Sequence, residues 1–236
     1  AYAAKNGHYD ILLWVIDKGC PISSLTASYV SRNGELQILK YIYSKFPNIL
    51  LDKFLFEYTA QDGQLEVLKW LHKNGCMGDS NSINMAIDSG YINVAKWLIE
   101  QGYEVDPMAI VNAISINNLD FAKWLYDIVD KFDITTMETA VVNAVETGNM
   151  EIMDWLYKNN CILTSASYIE ACRGNNMQIM NWLYEKNCPF DLEVCNFAAE
   201  IGNLKMLKWL CEKGCSWNKN VCLLAAKYGH FDLLRW

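Results

Sequence analysis

The sequence of 236 residues predicts an all-α fold, a solenoid of about nine stacked helix–turn–helix repeats. Three observations carry that prediction. Tryptophan recurs every 27 residues, at Trp70, Trp97 and Trp124 and again at Trp155, Trp182, Trp209 and Trp236. Each stands seven residues after a Gly or Asn that opens a similar phrase, as in GQLEVLKW, GYINVAKW and GNLKMLKW. Eleven residues before most of those anchors stands a residue favoured at a helix N-terminus: Ser23, Asp52, Asp79, Asp106, Thr164, Asp191 and Asn218.

The repeats follow in order from the anchors Gly7, Gly34, Gly63, Gly90, Asn117, Gly148, Asn175, Gly202 and Gly229. The first begins inside a first helix. The second carries Tyr41 in place of Trp. Two repeats are lengthened, by insertions near residues 46–53 and 127–136, and both fall between helical stretches. The chain starts and stops within a repeat and shows no polar capping repeat, so the expectation is a single array, 1–236, cut from a longer protein.

Within a repeat, the stretch after the anchor has helical apolar spacing, as in Leu204, Leu207, Trp209 and Leu210. It stops at Gly or Asn, as in Lys18-Gly19, Asn74-Gly75, Gln101-Gly102, Asn159-Asn160 and Lys213-Gly214. The helix before the anchor starts at its cap, and Pro107 after Asp106 suits a first helical position. The sixth repeat slips, to Thr135 or Thr136, with Thr135-x-x-Glu138 as a capping box. Helices of roughly ten residues do not hold alone in water, so each pair must bury its apolar face on its neighbours.

The phrases Ala3-Ala4-Lys5-Asn6-Gly7-His8, Ala198-Ala199-Glu200-Ile201-Gly202-Asn203 and Ala225-Ala226-Lys227-Tyr228-Gly229-His230 resemble the middle of an ankyrin repeat. Lys73-Asn74-Gly75-Cys76 and Glu212-Lys213-Gly214-Cys215 resemble its ending, with Cys for the usual Ala. The resemblance spans the chain. It departs from the common pattern in a period about six residues short of the usual 33 and in lacking the Thr-Pro-Leu-His start. The shortfall lies between helix pairs, so the projecting finger of ordinary ankyrin repeats should be stunted. The short form with Gly19-Cys20-Pro21 and Asn187-Cys188-Pro189 resembles arrays encoded by large DNA viruses of amoebae. Tetratricopeptide and HEAT arrays are the alternative repeat types, with longer periods and without the Ala-Ala-x-x-Gly-His phrase.

Net charge is −7, with Lys and Arg spread through the repeats, which argues against nucleic acid as partner. No run approaches 18 apolar residues, so no membrane span is expected. Neither a phosphate loop nor a dinucleotide fingerprint occurs, and no cofactor, metal or small-molecule substrate is expected.

The nine cysteines fall in repeat phase. Cys20, Cys76, Cys161, Cys188 and Cys215 lie thirteen residues after their anchors, and Cys195 and Cys222 lie seven before theirs. Cys172 replaces a paired alanine and Cys211 follows a Trp-Leu pair. All read as small buried hydrophobes. Equivalent cysteines on successive repeats, about 8–10 Å apart, exceed disulfide reach, and reduced thiols fit an intracellular compartment, cytoplasm first, of a host cell or a virion. His8 and His230 follow their anchors, where the ankyrin resemblance implies a local hydrogen bond, and His72 is expected on the outer face of a second helix. No catalytic constellation accompanies them, so the chain reads as a non-enzyme. The tryptophans read as seams between repeats.

Ankyrin arrays bind chiefly through the concave face of first helices. There the positions five, two and one before each anchor share a stripe opposite the paired alanines. Tyr2, Tyr29 and Tyr58 form a ladder beside Lys5 and Arg32; Asp62, Asp88 and Glu146 make an acidic centre; Phe197 and Tyr228 mark the last repeats. Tyr and Arg are enriched at interface hot spots. The expected function is a non-catalytic scaffold binding a protein or peptide, with a basic segment over the acidic centre. The alternatives are a structural component of a larger assembly such as a viral particle, a substrate-recruiting arm of a ubiquitin-ligase adaptor, which only the resemblance implies, and a specificity arm for a catalytic domain elsewhere in the protein.

Overall fold

The structure is a computed structural model that describes residues 1–51, 53–129 and 133–236. It is all-helical among those residues and divides into two compact units, Ala1–Ile116 and Asn117–Trp236.

The first compact unit holds α1 (Tyr2–Lys5), α2 (Tyr9–Asp17), α3 (Ser24–Arg32), α4 (Leu36–Lys45), α5 (Lys53–Gln61), α6 (Leu65–Lys73), α7 (Ser80–Asp88), α8 (Ile92–Glu100) and α9 (Met108–Ser115). The odd-numbered helices, which precede the anchors, pack successively on one another, and α3, α5 and α7 each pack on the even helix that follows. The insertion in the second repeat contains a 3-10 helix, Pro47–Leu51. The second compact unit holds α10 (Leu119–Ile128), α11 (Ile134–Thr147), α12 (Met150–Lys158), α13 (Ser165–Arg173), α14 (Met177–Glu185), α15 (Leu192–Glu200), α16 (Leu204–Glu212), α17 (Lys219–Lys227) and α18 (Phe231–Arg235). Here α11, α13, α15 and α17 form the first-helix layer.

Small residues explain the close approach of the first helices. Ala60, Ala86 and Ala113 in one compact unit, and Ala144, Ala198 and Ala199 in the other, are fully buried. Leu68, Leu98, Leu156, Leu183 and Leu210 fill the space beneath the second helices. The connectors between repeats carry no strand among the described residues, as the short period implies.

Every anchor has positive φ, including Asn117 at 60° and Asn175 at 50°. Most predicted caps form. Asp79, Asp191 and Asn218 accept from backbone N–H groups of their helices, and Asp106 accepts from Met108 N at 2.8 Å. Ser23 and Thr164 hold extended cap backbones without a side-chain bond, and Asp52 lies outside the described residues. The sixth repeat corrects the expectation at Thr135 and Thr136. Its cap is Asp133, which accepts from Thr136 N at 2.6 Å, and α11 runs 14 residues. A carboxylate two residues upstream displaces the threonine hydroxyl because it is the stronger acceptor at the positive end of a helix.

The second helices have caps of their own where the residue after the anchor is Asn: Asn118, Asn149, Asn176 and Asn203 all accept from first-turn N–H groups. That residue also ties repeats together. Asn149 and Asn203 donate to the side-chain oxygens of Asn117 and Asn175 (2.6 and 3.0 Å). Gln64 donates to the Arg32 carbonyl at 3.0 Å and His230 to the Glu200 carbonyl at 2.7 Å. The bond of His230 therefore reaches the preceding repeat. His8 is exposed.

Tryptophan does fill seams, where an aromatic residue of the preceding second helix meets it edge-on. The pairs are Tyr43–Trp70 and His72–Trp97, then Tyr126–Trp155, Tyr157–Trp182 and Tyr184–Trp209. The Trp182 and Trp209 indoles donate to Asp154 Oδ1 (2.8 Å) and Asn181 Oδ1 (3.0 Å). Trp14 and Trp236 depart from the expectation, at 61% and 53% exposed. His72 is half-buried, bonded through Nδ1 to the Tyr103 hydroxyl at 3.0 Å.

The cysteine expectation needs two corrections. Cys20 and Cys222 are exposed, and the sulfurs of Cys195 and Cys215 meet each other in the core. Positions seven before and thirteen after one anchor lie together, Cα atoms 7.1 Å apart, a pairing that comparing equivalent positions on successive repeats does not reveal. Cys76, Cys161, Cys172 and Cys188 are buried. A thiol reagent should therefore modify Cys20 and Cys222 within seconds to minutes, half-buried Cys211 more slowly, and those four only on unfolding. Mass spectrometry of the labelled peptides checks the order.

Candidate interaction surface

The first-helix face of the Ala1–Ile116 unit presents a groove of about 350 Å³ between α3 and α5. Ser24, Leu25, Ser28, Tyr29 and Arg32 line one wall, and Phe54 and Tyr58 the other. On α3, Leu25, Tyr29 and Arg32 are spaced i, i+4, i+7, so they share one stripe. On α5, Phe54 and Tyr58 are one turn apart, and their rings stack with centroids 6.3 Å apart. Leu25 and Phe54 are each 51% exposed.

Cations order this stripe. The Lys5 ammonium lies 5.9 Å from the Tyr29 ring centre, and the Arg32 guanidinium 5.3 Å from that of Tyr58. Arg32 also pairs with Asp62, from Nε to Oδ2 and from Nη2 to Oδ1 at 3.5 Å. The bond to Asp62 is the main cause that raises the Arg32 pKa further, so its charge is fixed at every ordinary pH. Its planar fork is held in one orientation at the groove mouth.

Tyr29, Arg32, Tyr58 and Asp62 thus form one cluster, joined through Tyr29 to Lys5. Tyr2 is 84% exposed on α1. Asp88, at the end of α7, is exposed, and partial burial pushes its carboxyl above the usual range. Asp62 is neutralised by Arg32 and so adds little to an acidic centre. Glu146, Phe197 and Tyr228 belong to the Asn117–Trp236 unit. Glu146 is exposed on α11. Phe197 on α15 lies under Arg173, 5.4 Å from ring centre to guanidinium, and Tyr228 lies beside Lys227 at 4.7 Å.

A register rule emerges from these contacts. A cation two residues before one anchor covers the aromatic residue five before the next: Lys5 on Tyr29, Arg32 on Tyr58, Arg173 on Phe197. Sequence reasoning missed Leu25 and Phe54. Both stand nine residues before their anchors, one turn further along the same stripe, so extending the stripe by one helical turn finds them. Among the described residues no three His, Cys, Asp or Glu side chains gather as metal ligands, and no helix is long and apolar enough to cross a membrane.

The human ASB11 ankyrin repeat domain superposes on this chain with a TM-score of 0.53 at 20% identity, covering 68% of this chain and 84% of that one. The maize pentatricopeptide repeat protein PPR10 gives 0.49 at 10% identity, covering 94% of this chain and 40% of that one. PPR10 in complex with an 18-nt psaJ RNA element gives 0.40 at 13% identity, covering 93% and 44%. No family model and no curated protein matches the sequence. The fold is that of a helical repeat solenoid with an ankyrin repeat domain as structural neighbour.

Proposed function

We propose that the chain is a non-catalytic array that binds a protein or peptide on its first-helix face, with the groove between α3 and α5 as the anchor. The observation that carries this reading is the groove itself. It combines an exposed leucine, three aromatic rings and an oriented guanidinium in one concave site, the combination from which interface hot spots are built. Its chemistry suits a segment that inserts an aliphatic or aromatic side chain between Leu25 and Phe54 and sets a polar group against Arg32. Tyr2 and Lys5 would extend the contact toward α1, and Asp88 would meet a basic residue. In the other compact unit Glu146, Phe197 and Tyr228 would form a separate contact. The acidic balance of the chain disfavours a nucleic acid in this role.

The Gly-Cys-Pro and Asn-Cys-Pro phrases with the 27-residue period support assignment to the short repeat type of large DNA viruses. Seven free cysteines support an intracellular setting.

The test is a peptide-display selection against the wild-type chain, followed by affinity measurement. Replacing Tyr29 and Tyr58 together by Ala should weaken the selected peptides by about 10–100-fold, the range of a lost hot spot, with melting nearly unchanged. Leu25→Ser, which leaves both cation–π contacts intact, should weaken them by about tenfold. Peptides that bind both variants as tightly as wild type would reject the groove.

A further inference from the structure

The second-helix side carries a repeated aromatic corner. In the Asn117–Trp236 unit, Tyr157 meets Trp182 at an interplanar angle of 77°, and Tyr184 meets Trp209 at 81°. A lysine from the chain lies in each corner. Lys186 stands 5.0 Å from the Tyr157 ring centre and 5.8 Å from that of Trp182; Lys213 stands 4.6 Å from Tyr184 and 5.9 Å from Trp209. Both lysines fall eleven residues after their anchors. The same position holds Lys18 over Trp14 at 5.8 Å and Lys45 over Tyr41 at 5.7 Å. So wherever a repeat has lysine at this position, its ammonium lies over the aromatic residue seven after the anchor.

The third repeat has the corner without the lysine. Tyr43 and Trp70 meet edge-on with centroids 5.4 Å apart at 84°, the geometry of the lysine-bearing corners. Position eleven is Asn74, whose amide turns back to donate to the Trp70 carbonyl at 2.7 Å. Both residues are half-buried, so packing holds them while part of each remains open to solvent. Two π faces at right angles concentrate negative potential in the angle between them, and an ammonium there is attracted to both.

We propose that the Tyr43–Trp70 corner binds an ammonium group presented from outside, a lysine side chain of a partner protein in plain or methylated form. The chain's own lysines show the occupant that this geometry selects. The net charge of −7 favours approach of a cation. The site lies on the second-helix side, so it stands or falls independently of the groove between α3 and α5.

Tetramethylammonium is the first probe, with neutral 3,3-dimethylbutanol as its isostere. The readout is the Trp70 indole N–H resonance, assigned by loss of the peak in Trp70→Phe. Tetramethylammonium should shift that peak in a saturable way, with a dissociation constant on the order of 100 mM for a lone exposed corner, and the isostere should not. Asn74→Lys should fill the corner from within and abolish the response. Lys213→Asn should confer a response on the Trp209 peak. N-acetyl-lysine methylamide and its trimethylated form then distinguish the two sources of ammonium. An equal shift with the isostere, or an Asn74→Lys protein that responds like wild type, would overturn the proposal.

Discussion

Gly63→Ala should destabilise the protein by about 2–5 kcal/mol, well beyond the same change at Gly90. Both glycines are anchors with positive φ, 73° at Gly63 and 81° at Gly90. Alanine in that region costs about 1–2 kcal/mol for the backbone alone. At Gly90 the added methyl group meets nothing within 4 Å, so the backbone term is the whole cost. At Gly63 it would lie inside contact distance of the Tyr91 ring, which the next repeat folds over the glycine. Overpacking adds about 1–3 kcal/mol. Thermal melts should show a fall roughly twice as large for Gly63→Ala. Combining it with Tyr91→Ala should recover the excess, because the two changes share one contact. Equal losses at the two glycines would mean that the half-exposed Tyr91 ring swings aside freely, and that anchor glycines serve conformation alone.

The second large effect is alkaline. Burial pushes the Cys161 thiol up to about 11 and the Cys172 and Cys188 thiols up to about 12. An unfolded thiol ionises near 8.5. The folded chain therefore keeps these protons after the unfolded chain has released them. Stability is full below about pH 8 and falls as pH rises toward 11 and 12, by roughly 1.4 kcal/mol per pH unit for each group. Tyr168, fully buried and raised by that burial, adds to the loss above its ordinary range. Denaturant midpoints should therefore drop steeply between pH 9 and 11. Cys172→Ala, which restores the paired alanine of that repeat, should remove roughly a third of the slope that the three thiols produce in that window. A flat midpoint from pH 7 to 11 would show that these thiols reach water in the folded chain.

The parts of the molecule that were legible in the sequence share one property: each is decided within a few residues of its own position. A left-handed anchor needs Gly or Asn wherever it occurs, so Gly63 and Asn175 could be read without neighbours. Asp79, Asp191 and Asn218 cap helices through the first turn that follows them. Even the failure at Thr135 is local, since Asp133 stood two residues upstream and competed for the same N–H groups. The candidate site was legible only in half. Tyr29, Arg32 and Tyr58 follow from helical spacing. Leu25 and Phe54 lie one turn further along the same stripe, but only the setting of α5 against α3 decides that they face each other across a groove.

The chain's own order of residues thus determined the period, the helix pairs, their ends and the alanine layer that lets first helices pack closely. Tertiary structure decided which side chains of different repeats touch: Arg32 on Tyr58 and Asp62, Cys195 with Cys215, Trp70 against Tyr43. Those partners stand 20 to 30 residues apart. Their meeting depends on the rotation and rise from one hairpin to the next, which the summed packing of many side chains sets and no short stretch encodes.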